Sequence, residues 1–482
     1  MEALSGVGSV SLVDRPATEI RSLVVRREVS AREVLLATRE RIAQVNPTLN
    51  AIVTMNDRAE AEADAVDAAL ARGEAPGLLC GLPVGIKDVT PVAGVRTTYG
   101  SPIFAEHVPA EDAAVVTRLR RAGAIIIGKT NCPEFAAGGN TFNQVFGATR
   151  NPWDPSKSAG GSTGGGAVAL ATGMIALAEG TDLGGSLRIP ASFCGVAGLR
   201  PSVGLVPTSP NGWLWDTLQV SGPMARTPGD VALMLQAMAG AGPEAPLGSS
   251  IRDRDFAAAA TAGIARGLRV AYAPDPAGIG IDADIERLCR AAAFSLGSEG
   301  AVVGEEDVDL AFVRPAFLSL RGLWFVTQLR ALLPQRDRFG PNVANNVRAG
   351  LETTVEQLAD AEQARGRLWH LCRELFARLD CVVTPCMAVP PFPVTESYPQ
   401  TVAGRPMATY VDWIAPTFVW SMTGLPVAAV PAGLDARGLP VGLQIIGPPL
   451  GEELVLAVAA AIARLRPIGR PAHTSLSGDL PS

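Results

Sequence analysis

Residues 158–188 read SAGGSTGGGAVALATGMIALAEGTDLGGSLR, two glycine-serine clusters separated by an apolar run. The first is Gly160-Gly161-Ser162-Thr163-Gly164-Gly165-Gly166; the second is Gly180-Thr181-Asp182-Leu183-Gly184-Gly185-Ser186. Successive glycines let backbone amides converge on one point, which holds an oxyanion without side-chain donors. A serine straight after such amides is placed to attack the carbonyl whose oxygen they stabilise, provided that a base activates it. Histidine is scarce: the chain has only His107, His370 and His473. Lysine is equally rare, with Lys87, Lys129 and Lys157 confined to one 71-residue window while 38 of the 41 basic residues are arginine. An amine gives up its proton near neutral pH when buried, and a guanidinium does not. Lys87 lies in GLPVGIKDVT (81–90) among Leu82, Val84 and Ile86, where desolvation would lower its pKa. The same residues also fit a plainer picture, in which the glycines only make tight turns and Lys87 pairs with Asp88 at the surface.

Outward from this stretch the pattern alternates between strand and helix. Residues 16–46 predict two amphipathic helices, with Ser30 capping the second, and a third follows at about 57–72. GLPVGIKDVT is a short apolar strand, a helix at 111–122 leads into a strand at Ala124 to Ile127, and AVALATGMIALA (167–178) reads as helical. Downstream, VAYAP (270–274), CVVTP (381–385), VAAVP (427–431) and VGLQIIG (441–447) predict buried strands between helices at 228–240, 283–298 and 353–378. A terminal helix, GEELVLAVAAAIAR, follows, and the last eight residues or so read as frayed. This is an α/β pattern, a large mixed central β-sheet covered by helices on both faces. No composition break marks a linker. The expectation is one catalytic domain over 1–482, with N-terminal helices at about 16–72, a core at about 80–205 and a pocket-forming part at about 206–470.

Two motif matches are decoys. Gly123 to Thr130, GAIIIGKT, fits the phosphate-loop pattern letter for letter, but its middle residues are strand formers where the loop must turn. GGSTG (160–164) fits the nucleophile elbow, yet a proline-containing loop stands where the elbow needs a strand. Composition excludes other classes. The chain has 482 residues, 48% apolar and 18% charged, with a formal charge of −6, which weighs against a nucleic-acid partner. The longest apolar run, Val455 to Ala463, is half of the roughly 18 residues that a membrane-spanning helix needs. The N-terminus lacks the pattern of a signal peptide, and the seven scattered cysteines read as buried thiols in a reducing compartment. Only Cys381 and Cys386 lie close together, a poor zinc signature. A cytoplasmic location is the expectation.

GLPVGIKDVT, GKTNCPEF, NPWDPSKSAGGSTGGG and GTDLGGSLRIPASFCGVAGLRPS, in this order and spacing, resemble the amidase signature family, serine hydrolases with a Ser–cisSer–Lys triad. SGPMARTPGDVALML (221–235) and GLPVGLQIIGPPLGEELVLAVAAAI extend the resemblance over nearly the whole chain. The resemblance implies the amidase signature fold, Ser186 as nucleophile, Ser162 as bridging serine on a cis Gly161–Ser162 peptide, and Lys87 as base. It implies oxyanion-hole amides from Leu183, Gly184, Gly185 and Ser186, and no metal or cofactor. Departures from the family pattern are Thr163 and Gly166 where serines are frequent, and Trp420 to Gly424, which lacks the asparagine often found before that turn. Asp182 and Arg188 flank the nucleophile loop as an ion pair that can pin it.

Three functions remain open at this point. The first is a stand-alone amidase acting on small aryl or apolar amides, with carbamates (urethanes) and esters sharing the oxyanion geometry. The second is a glutaminase subunit of a tRNA-dependent amidotransferase. Such subunits usually carry glutamine after the arginine beyond the nucleophile, where this chain has Ile189. The third is a catalytically silent binding scaffold. For the first, aromatic residues outside the family-like blocks, Trp213, Trp215, Trp324, Phe325, Trp413 and Trp420, are the candidate pocket walls. The expected partner is the small-molecule amide or carbamate substrate, with no nucleic acid or membrane, and the protein a monomer or homodimer.

Overall fold

The computed structural model describes residues 11–472. Apolar alternation and short buried runs fold into eleven strands of one mixed sheet: β1 (Ile52–Met55), β2 (Pro83–Lys87), β3 (Ile125–Thr130), β4 (Leu177–Asp182), β5 (Ala197–Arg200), β6 (Val220–Ala225), β7 (Arg269–Tyr272), β8 (Val302–Glu305), β9 (Cys381–Pro385), β10 (Val427–Leu434) and β11 (Pro440–Ile446). Their order across the sheet is β1-β3-β2-β4-β6-β5-β10-β11-β9-β7-β8. β2 runs parallel to both β3 and β4, and β7 runs parallel to β8 and β9; the remaining neighbours are antiparallel. Every residue of β2, β3 and β4 is buried, as expected of inner strands covered on both faces.

The helices begin where their caps place them. Ser30 accepts from the Glu33 amide at 3.0 Å while the Glu33 carboxylate accepts from the Ser30 amide at 2.7 Å, opening the helix Ala31–Leu49. The predicted strands and helices fall within a few residues of their expected places, with one reversal. AVALATGMIALA is not one helix: the helix Gly164–Ala171 ends, Gly173 turns the chain at φ +75°, and Leu177 begins β4. A run of small apolar residues fits a buried helix and a buried strand equally well, and the left-handed glycine decides where one becomes the other. GKT of the phosphate-loop match lies in β3, and all seven cysteines are free and buried. The first ten of the N-terminal residues read for a signal peptide, His473 and the last residues of the C-terminal tail lie outside the described residues. Among the described residues no helix is long and apolar enough to cross a membrane.

β2 and β4 are parallel neighbours, Ile86 opposite Glu179, so their C-terminal ends deliver Lys87 and the Thr181–Asp182 pair to one place. That end of the sheet carries the site.

Candidate active site

Lys87, the last residue of β2, is fully buried. Its Nζ lies 2.7 Å from Ser162 Oγ, 2.9 Å from Thr181 Oγ1 and 3.3 Å from the Thr181 carbonyl. Ser162 follows a cis peptide bond from Gly161, in the turn that enters the helix Gly164–Ala171. The next amide, that of Thr163, donates to the Ser186 carbonyl at 3.2 Å, which ties the first glycine-serine cluster directly to the second. Ser162 and Ser186 line one cavity, and Lys87 stands behind Ser162. The surface pair of Lys87 with Asp88 is therefore excluded. Asp88 is buried as well, and it accepts from the amide and hydroxyl of Thr98.

Burial draws the Lys87 ammonium down to about 8. Cys132, Glu179 and Asp182 act in the opposite sense. Cys132 is itself pushed up to about 12 by burial and stays a neutral thiol at pH 7, which leaves the two carboxylates as the opposing charges. Glu179, raised by burial, accepts from the Lys87 amide at 3.3 Å and the Thr90 hydroxyl at 3.1 Å. Sequence reasoning missed Glu179 and Thr181, although both lie in β4 within the second cluster's reach. Lys129 is also drawn down to about 8 by burial, but its amine is taken by the Thr90 carbonyl and by Thr97 Oγ1 at 3.2 Å.

The loop before Ser186 is built around Asp182. One carboxylate oxygen accepts from the Gly185 amide at 2.8 Å, and the other from the Leu187 amide at 3.1 Å. Arg188 bonds both oxygens, at 3.0 and 3.1 Å, and Arg200 approaches at 3.3 Å. All three charged groups are fully buried. Burial alone would raise the Asp182 carboxyl, but Arg188 and Arg200 outweigh it and hold it well below the usual carboxylate range. Arg188 also reaches the Thr417 carbonyl, Gln444 and Ser421, and Thr417 Oγ1 donates to the Gly184 carbonyl at 2.6 Å. The Gly185 amide is thus spent on Asp182 and drops out of the expected oxyanion set. Leu183, Gly184 and Ser186 line the cavity.

The family model described as Amidase matches residues 33–456. The chain belongs to the amidase family. It is similar to an acylamidase of Rhodococcus erythropolis, 35% identical over 94% of this chain and 95% of the relative. It is also similar to one of the subunits of the glutamyl-tRNA(Gln) amidotransferase of Thermosynechococcus vestitus, 34% identical over 93% of this chain and 97% of the relative. Among solved structures, a bacterial aryl acylamidase of the amidase signature family superposes with a TM-score of 0.87 at 28% identity, covering 94% of this chain and 96% of that one. The protein is an amide-hydrolysing enzyme with the amidase signature fold.

In this amidase the cavity at Ser186 is narrow and opens into a cleft of about 590 Å³; Phe135, Ala136, Thr181, Gln219 and Trp324 line both. Of the expected aromatic walls, Trp324 and Phe325 line the cavity from the helix Val313–Gln328. The others do not. Trp215 is 65% exposed, Trp213 packs part-buried against the core, and Trp413 and Trp420 are fully buried. Trp413 packs tilted against Phe193 and edge-on against Phe392, behind the wall made by Gly139. Aromatic content alone cannot separate a wall residue from the core residue behind it. Sequence reasoning also missed Phe135 and Arg321. A signal for Arg321 was available, since 321, 324 and 325 share one helical face. No histidine among the described residues lines the cavity; His107 and His370 are exposed. Among the described residues no cluster of His, Cys, Asp or Glu is arranged to hold a metal.

Proposed function

We propose that this amidase works alone as a serine hydrolase on small aryl or apolar amides. Neutral Lys87 takes a proton from Ser162 as Ser162 takes one from Ser186, whose oxygen attacks the substrate carbonyl. The intermediate's oxyanion is held by amides of the Leu183–Ser186 loop, and the relay returns a proton to the leaving amine. Water then releases the acid from Ser186. The observation that carries this reading is the 2.7 Å Lys87–Ser162 contact behind a cavity lined by both serines. Carbamates and esters present the same carbonyl to the same amides and fall within the proposal. The free thiols fit a reducing, cytoplasmic setting.

Similarity to amidotransferase subunits keeps a second reading in play, a glutaminase that passes ammonia to a partner. Ile189, buried and lining the cavity, favours the stand-alone enzyme, because it offers an amide side chain no polar contact. The test is aromatic-amine release from a matched aryl amide and aryl carbamate by the purified protein, with Ser186→Ala as control. Release that vanishes in the variant supports the proposal. Ammonia from glutamine without aryl-amide cleavage would favour the amidotransferase reading. A Ser186 that is unreactive to a fluorophosphonate would point to a silent scaffold.

A further inference from the structure

The helix Val313–Gln328 turns one face to the cavity: Phe317 against the oxyanion loop, then Arg321, then Trp324 and Phe325. Arg321 is only 5% exposed and lines the cavity, yet none of the ion pairs among the described residues includes it. Its guanidinium lies 5.0 Å from the Phe325 ring centroid, 5.6 Å from that of Tyr410 and 5.8 Å from that of Phe317. Its Nε donates to Asn346 Oδ1 at 2.9 Å, and one terminal nitrogen donates to the Tyr410 hydroxyl at 2.6 Å. The Asn346 amide donates to that same hydroxyl. The phenol oxygen therefore accepts twice, and its own proton is left to give. Tyr410 lines the cavity too.

Arginine keeps its charge when buried, and a buried charge without a counter-ion is costly. Three aromatic faces offset part of that cost, but they neither neutralise the charge nor use the fork's remaining donors. The other buried arginines of the site, Arg188 and Arg200, are paired with Asp182. We infer that Arg321, with the Tyr410 hydroxyl, binds a carboxylate carried by the substrate, so that the preferred amides are acid-bearing aryl or alkyl amides. This rests on the hydrolase reading proposed above and names its substrate class. Phe317 lies near both ends of the substrate's span: the guanidinium is 5.8 Å from its ring centroid, and a Cβ on Gly184 would sit 3.0 Å from the same ring. The tether between scissile carbonyl and carboxylate is accordingly short, a few bonds or one aryl ring.

The test uses two substrate series. One is the 4-nitroanilide half-amides of malonic to adipic acid, each against its analogue with methyl in place of carboxylate. The other is the N-acetylaminobenzoates against the corresponding acetyltoluidides. At least one acid should exceed its neutral partner about 10- to 100-fold in kcat/KM, mostly through KM. Arg321→Gln should erase that ratio, Arg321→Lys should keep part of it, and Tyr410→Phe should reduce it. Fluorophosphonate labelling of Ser186 reports whether each variant is folded. Cleavage of neutral amides with no acid preferred in either series would overturn the inference and leave the hydrolase standing. So would a labelled Ser186 with no amide cleaved. Neither cleavage nor labelling in the wild type would instead remove the hydrolase reading beneath it.

Discussion

Lys87 Nζ and Ser162 Oγ lie 2.7 Å apart in a fully buried contact, with Thr181 Oγ1 as the amine's second partner at 2.9 Å. A base must be neutral to take a proton, and burial draws this amine down to about 8. Below that pH the charged form dominates; above it the neutral form does. On a neutral amide, kcat/KM should therefore rise with pH and level off above about 8. Lys87→Arg supplies a charge that no accessible pH removes, and should lose about 10²- to 10⁴-fold at every pH. A pH–rate profile of the variant that kept the wild-type limb would remove Lys87 as base.

Glu179 faces the same amine through its charge, and it accepts from the Lys87 backbone. A carboxylate beside an ammonium stabilises the charged form and raises its pKa. Glu179→Gln keeps an oxygen for the Lys87 amide while removing the charge. The acid limb of the pH–rate profile should move to lower pH, with the plateau rate changed less than the limb. A limb that moved upward would show that the charge acts elsewhere.

Asp182 is the common acceptor of two arginines and two loop amides in a dry interior. Removing one partner of a buried pair leaves the other charges uncompensated, at a cost of about 3–5 kcal/mol. Asp182→Ala should lower the denaturation midpoint accordingly and release the Gly185 amide from its acceptor, so that turnover falls as well. A variant melting like wild type would mean that Arg188 and Arg200 find other acceptors.

The legibility of these parts in the sequence differed for physical reasons. Strands at the site and caps away from it were readable because buried runs such as Pro83–Lys87 and a capping serine such as Ser30 carry local signals. The helix-to-strand switch at Gly173 was not, since small apolar residues satisfy either period. Lys87, Ser162 and Ser186 stood out by rarity and by glycine context, and the structure gathers them around one cavity. The cavity walls were opaque to that reasoning. Trp413 and Trp324 look alike in sequence, and only packing puts one behind Gly139 and the other beside the serine. For Arg321 the helical spacing to Trp324 and Phe325 was the one available signal, and only packing shows that it lines the cavity outside every ion pair among the described residues.

Gly185 tests whether the loop's shape, apart from its charges, sets the rate. Its φ is +128°, a conformation that L side chains rarely adopt. A Cβ there would lie 2.6 Å from Thr417 Cβ, closer still to the Thr417 hydroxyl, and 3.0 Å from the Ile189 side chain. Thr417 cannot simply step aside, because its hydroxyl holds the Gly184 carbonyl at 2.6 Å. Gly185→Ala must therefore shift the loop that presents Leu183, Gly184 and Ser186 to the cavity. Loss of an oxyanion donor elsewhere costs about 10²- to 10³-fold in kcat, and a loss of that order is expected here, with KM for a neutral amide changed far less. With Thr417→Gly alone measuring what the lost bond to the Gly184 carbonyl costs, the double variant Gly185→Ala/Thr417→Gly removes both Thr417 atoms that the new Cβ meets, Oγ1 and Cβ. Once that cost is allowed for, it should regain part of the rate. If the double variant, so corrected, were no faster than Gly185→Ala, the backbone angle rather than the contact with Thr417 would be what alanine disturbs.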